Sequence, residues 1–287
     1  MSAADLIAHY RKLKAQAATS LTNDAVSQTL IDMALEALDF LVAEANVVPL
    51  TSRVAGKTYR AYRIGERISR PINEASFIAD PDGLTKAVKS FSAAKLKAMP
   101  ASDATRLIYT MGMAFYAALD VLKDDDKKTP ATHFEILAAR IFAMLFAVQP
   151  TYAIPLQASA GAVADELPTD YIFDLGTGKP KIHMPVKAST RERVIQVWAH
   201  QRILDGAYGH GTYKGVLVAL NETKLDRQRL IVTEICVPLQ WRVYQKYIAQ
   251  MDRVYYLDPP AAYLALAPAI TVKPFGELFS DLSHFQG

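Results

Sequence analysis

Thr169-Asp170-Tyr171-Ile172-Phe173-Asp174-Leu175-Gly176-Thr177-Gly178-Lys179-Pro180-Lys181-Ile182-His183-Met184-Pro185-Val186-Lys187 reads as two short apolar strands around a glycine- and proline-marked turn. Folding the first strand onto the second about Gly176–Pro180 brings their outer ends together, which sets Asp170 near Pro185 and Lys187. A carboxylate and an ammonium then converge at one end of a hairpin. The pair suits metal-assisted phosphodiester hydrolysis, in which the acid, with a second one, holds a hard cation while the lysine orients water and steadies phosphate. The same two residues on an exposed hairpin also make an ordinary surface ion pair, and spacing alone does not separate the readings.

A helix is expected from near Thr190 to Gly206, opened by Ser189-Thr190-Arg191-Glu192-Arg193. Ser189 and Glu192 have capping-box spacing. Arg191 and Arg193, however, place positive charge at the positive end of the helix macrodipole, a cost of roughly several tenths of a kcal/mol each that something outside the helix should offset. DNA would do so: arginine forks onto guanine O6 and N7, and glutamate accepts from cytosine N4. Base reading and the lysine would then belong to one rigid unit.

Working outward, residues 4–17 and 24–47 read as helices, as do Ala104–Leu122 and Pro130–Val148. The last contains Thr132-His133-Phe134-Glu135, which has the form of a capping box. From Ser52 to Pro71 six basic residues face the lone acid Glu66, with Tyr59 and Tyr62 interleaved. That strip is either a solvated face or a phosphate-tracking patch whose aromatics stack on bases; Arg60, Arg63, Arg67 and Arg70 would share one face if it were helical, although Gly56 and Gly65 favour loop. The aspartates 124–126 read as a solvated turn between helices. Strands are expected at 216–220, 230–237 and 253–257, with a helix at 239–251, so the class is α/β.

The 287 residues, 51% apolar and 21% charged, exclude a disordered chain and a disulfide scaffold, and bound the chain at one large domain or a core with an appended subdomain. A formal charge of +3 is no polycation, yet a sum hides local clustering. Cys236, alone in an apolar run, reads as a structural thiol. No apolar stretch is long enough for a membrane span, and a cytoplasmic location is expected.

The run Val186-Lys187-Ala188-Ser189-Thr190-Arg191-Glu192-Arg193, continuing to Gly206, and the later Arg253-Val254-Tyr255-Tyr256-Leu257-Asp258 resemble type II restriction endonucleases of the CCGG/CCNGG group (NgoMIV/EcoRII/SsoII-like). The likeness covers about Glu135 to Phe279. It implies a restriction-endonuclease-like PD-(D/E)XK core with a mixed central sheet flanked by helices, dependence on Mg2+, double-stranded DNA as partner, and a homodimer on a palindromic site, with pairing into tetramers left open. By resemblance, Lys187 is the catalytic lysine, Arg191, Glu192 and Arg193 read the CC:GG bases, Asp170 holds the metal with Asp165 as its rival, and Glu135 is the helix-borne acid, its capping-box alternative standing. Many such nucleases carry an acid where Pro185 stands; in this group it comes from the following helix, at the positions of His200 and Gln201, neither a carboxylate, and Gln201 is taken as a catalytic residue that offers a carbonyl oxygen through a bridging water. A base flipped out of the duplex would stack on Tyr59 or Tyr62. The chain then divides into a helical N-terminal region (1–50), DNA-contacting and dimerisation elements (51–128) and a nuclease core (129–287) within one domain. A sequence-specific DNA-binding protein without catalysis, and a structure-specific repair nuclease on the same core, are the competing readings.

Overall fold

The computed structural model describes residues 2–123, 126–156, 165–191 and 194–286. In chain order these form α1 (Ala3–Thr19), α2 (Asp24–Glu44), β1 (Asn46–Ser52), β2 (Tyr59–Ile64), β3 (Arg67–Ile68), β4 (Ile72–Asn73), α3 (Pro81–Val88), α4 (Ala93–Ala98), α5 (Ala101–Leu122), α6 (Lys128–Phe146) and β5 (Thr151–Leu156). There follow β6 (Asp165–Phe173), β7 (Lys181–Met184), β8 (Val186–Lys187), α7 (Val194–Tyr208), β9 (Tyr213–Ala219), β10 (Thr223–Asp226), β11 (Ile231–Glu234), α8 (Pro238–Tyr247), β12 (Met251–Tyr256), α9 (Ala261–Leu264), β13 (Val272–Pro274) and α10 (Leu282–Gln286).

The central sheet runs β13-β12-β9-β7-β6-β5, with β8 joined to β9. Strands β5, β6 and β7 are an antiparallel meander, whereas β7, β9, β12 and β13 are parallel, so the sheet is mixed. Parallel strands need both faces covered, and the unbroken apolar run of β9 meets that demand. Val216 and Val218 pack into the core built with α5 and α6, while Leu217 and Ala219 face Trp198 of α7 and Trp241 of α8. The period-2 alternation of one strand thus divides its side chains between two helical layers. Gly215 sits where β9 passes closest to α7: a Cβ there would lie 2.7 Å from Gln201 Oε1. Helix α5 is apolar around almost its whole circumference because it is buried on all sides.

A second sheet, β10-β11-β1-β2-β3 with β4 on β2, joins distant parts of the chain. β1 pairs in parallel with β11, Thr51 opposite Ile231, so the strands of 51–128 share a sheet with 223–234, and its helix α5 lies in the core. Lys57 Nζ ties the sheets together, 2.8 Å from both Glu234 and Asp258. Asp258, almost fully buried, also accepts from Asn73 and the Tyr59 hydroxyl, as a buried charge must.

The basic strip is therefore neither helical nor free. Gly56 and Gly65, at positive φ, turn it into strands. Arg70 grips Asp120 with two bonds of 2.8 Å, Arg67 donates to the Leu122 carbonyl, and Arg60 lies over the Phe77 ring. Tyr59 and Tyr62 are each only 2% exposed. Buried rings cannot receive a flipped base, and this corrects the stacking role expected of them.

Candidate active site

The register of the β6–β7 hairpin pairs Tyr171 with Met184, which puts Asp170 opposite Pro185. Pro185 has no N–H and interrupts the ladder. The chain resumes as β8, where Lys187 pairs with Ala219 of β9, and the Val186 N–H, turned out of the β6–β7 ladder, donates to Asp170 Oδ2 at 2.8 Å. Lys187 Nζ donates to the same oxygen at 2.7 Å. Both side chains remain 25% exposed, at the wall of a cleft of about 180 Å3 that Gln196 and His200 also line.

Glu135 faces this pair from α6. Because α6 begins at Lys128, Thr132 is inside the helix and makes no cap; the capping-box alternative does not hold. The Glu135 carboxyl is pushed up to about 7, by burial first and then by the charge of Asp170, with Lys187 partly opposing. Two acids and one lysine therefore share one electrostatic neighbourhood.

Gln201 is not part of it. It is 1% exposed, its Oε1 lies 3.1 Å from His183 Nδ1, and its Nε2 donates to Asp205 Oδ1 and the Tyr213 carbonyl, both at 2.9 Å. One residue is about 100° of helix rotation, so when Gln201 points beneath the sheet it is His200 that faces the cleft. Burial, then Lys187, lowers the His200 pKa below the ordinary histidine value, with Asp170 opposing, which favours the neutral ring. Asp165 is exposed at the far end of β6, paired with Leu156, and does not line the cleft; Asp174, at the turn, pairs with Lys181.

Arg191 lines a larger groove beside the cleft, and its Nη2 donates to the Thr223 carbonyl. Glu192 and Arg193 lie outside the described residues. The start of the Arg-Glu-Arg segment is anchored by a residue that sequence reading passed over. Glu222, fully buried, accepts at Oε1 from the Thr190 N–H (2.8 Å), the Thr190 hydroxyl (2.6 Å) and the Tyr256 hydroxyl (2.7 Å). Its one signal was position, just past the C-terminal end of an apolar parallel strand, where α/β sheets place their sites. For His200 the signal was its i,i+4 spacing from Gln196, which puts the two on one face of the helix. Glu222→Ala should cost about 2–3 kcal/mol in urea denaturation, since three donors lose their acceptor, and Glu222→Gln should cost clearly less because an amide oxygen still accepts.

Among the described residues no three His, Cys, Asp or Glu side chains form a cation cage. Mg2+ does not require one: it keeps several waters and binds through one or two carboxylates. Asp170 and Glu135, whose mutual repulsion a cation would relieve, fit it.

No protein-family model matches this chain, and no curated protein does. Among solved structures, the crystal structure of the Type IIP restriction endonuclease Kpn2I is similar over 90% of this chain and 90% of that one, at 25% identity and a TM-score of 0.77. The chain has a restriction-endonuclease fold. A complex of the restriction endonuclease PspGI with substrate DNA is also found, at 14% identity and a TM-score of 0.44 over 71% of this chain and 91% of that one. In the restriction-endonuclease fold seen here, the Asp170–Lys187 hairpin lies on the central sheet and α7 leads away from it. No helix among the described residues is long and apolar enough to cross a membrane.

Proposed function

We propose that this protein is a type II restriction endonuclease that cuts double-stranded DNA at a palindromic site containing CC and GG, with Mg2+, as a homodimer. The observation that carries the reading is Asp170 and Lys187 sharing one cleft wall, two strands' ends brought together by the hairpin, in a chain similar to a Type IIP restriction endonuclease along nearly its whole length. The competing reading, a binding protein without catalysis, does not account for an ammonium and an acid paired at the wall of an open cleft within the field of a second acid.

In this reading Asp170 and Glu135 would hold Mg2+, which when bound supplies charge neutralisation and a more acidic water. Lys187 Nζ, fixed by Asp170, positions the attacking water and steadies the non-bridging phosphate oxygen as negative charge builds there. His200, neutral on the cleft wall, takes the water's proton. The water oxygen bonds to phosphorus as the bond to the 3′ oxygen breaks, and that oxygen takes a proton from solvent water, leaving a 5′-phosphate and a 3′-hydroxyl. Three residues after Lys187, Thr190 is anchored on Glu222 and Arg191 on the Thr223 carbonyl, and in this reading the segment that starts there reads the bases.

The test is incubation of the purified protein with phage DNA, with and without Mg2+, and sequencing of fragment ends. Discrete ends at a shared palindrome containing CC and GG support the proposal. Absence of cutting, with specific retention of DNA in Ca2+, would instead leave a DNA-binding protein. Arg191→Ala should lose about 1–3 kcal/mol of discrimination against one-base-altered sites in competition cleavage; an unchanged preference would reduce Arg191 to its structural bond with Thr223.

A further inference from the structure

A basic surface lies in the groove beside Arg191, to which the strip at 52–71 contributes Arg70. This groove, of about 530 Å3, separates the tip of the central sheet from the β10–β11 hairpin. Five basic side chains line it against two acidic ones. Both acids are already paired, Asp120 with Arg70 and Asp126 with Lys123. Lys127 on one wall and Lys224 and Arg227 on the other are exposed, and among the described residues none of the three has an ion-pair partner. Unpaired cations on facing walls of one groove repel one another, and a polyanion laid between them removes the cost.

The hairpin is also tied to the base-reading segment. β10 starts at Thr223, whose carbonyl takes the Arg191 guanidinium, and the preceding residue is Glu222, which holds Thr190. At the tip, Asp226 accepts from the amides of Gln228 and Arg229, which fixes the turn that presents Arg227. A cation on this hairpin therefore keeps a set position relative to Arg191 and, through residues 187–190, to Lys187.

We infer that the β10–β11 hairpin is a phosphate-tracking arm: Lys224 and Arg227 contact the backbone of the duplex outside the bases that the Arg191 segment reads. The inference rests on the function proposed above and extends it to a second DNA-contacting surface. It requires that binding depend on duplex beyond the recognised site and that these two residues carry part of the salt dependence.

The experiment measures Kd in Ca2+ at several salt concentrations, for the intact protein and for the double variant Lys224→Gln/Arg227→Gln. Two duplexes are compared, one ending at the site read from the fragment ends and one extended by about one helical turn, ~10 base pairs, on each side. The intact protein should favour the longer duplex. The variant, unchanged in Tm because both residues are exposed, should lose that preference, and its slope of log K against log salt should be shallower by about 2, near 0.9 for each phosphate contact removed. Equal slopes and an equal length preference in the two proteins would overturn the arm and leave the endonuclease reading intact. A change in oligomeric mass without a change in slope would overturn it in favour of a subunit contact. If the intact protein binds neither duplex, the functional reading falls and the arm with it.

Discussion

Lys187→Ala should lower DNA cleavage by at least about 10³-fold while leaving specific binding in Ca2+ in place. The size follows from what is removed: a preorganised cation aimed at a phosphoryl group is worth several kcal/mol in the transition state and far less in the ground state. Lys187 is held by a 2.7 Å bond to Asp170 and sits at the open wall of the cleft, so in the proposed reaction its loss would change the charge beside the phosphate rather than the fold. Arginine at the same place would keep the charge but not its placement, because a planar guanidinium does not superimpose on a compact ammonium. Single-turnover cleavage at saturating protein, alongside a binding isotherm in Ca2+, separates the two effects. Cleavage that survives in the alanine variant would remove the lysine from the chemistry.

Glu135→Gln should move stability and activity in opposite directions. The carboxyl is raised from 4.5 to about 7 in the folded chain by burial and by Asp170. A raised folded-state pKa favours the fold fully below the unfolded value and loses that contribution as pH rises through the folded value. In the absence of divalent cations, therefore, the intact protein should lose about 2–3 kcal/mol of stability between about pH 4.5 and pH 7 and above, and the glutamine variant should not. The variant should be the more stable protein at pH 8 and equal to the original near pH 4, as urea unfolding at the two pH values would show. Its cleavage should nevertheless fall by at least ~10²-fold, since an amide neither repels Asp170 nor replaces the second charge on Mg2+. Equal pH dependence in both proteins would mean that neither burial nor Asp170 raises the Glu135 carboxyl in the folded chain.

The Asp170–Lys187 juxtaposition was legible in the sequence because a hairpin's register follows from its turn and its apolar alternation, both local properties. Helices α1, α2, α5 and α6 and strands β9 and β12 were legible for the same reason, the period of their apolar residues. What the sequence could not show is everything that depends on distant pairing. The parallel union of β1 with β11, Thr51 beside Ile231, has no local signature, yet it packs Tyr59 against Leu50 and Val232; equally non-local is the placing of α5, whose Asp120 and Leu122 carbonyl take Arg70 and Arg67 of a basic strip that looks free. Likewise only packing decides which of two adjacent residues on α7 faces the cleft: a rotation of about 100° sends Gln201 under the sheet and leaves His200 at the wall. Local patterning determined which segments form strands and helices and which charges end a hairpin together; tertiary structure decided which polar side chains stay exposed, because burial and partner choice are set by neighbours far away in the chain.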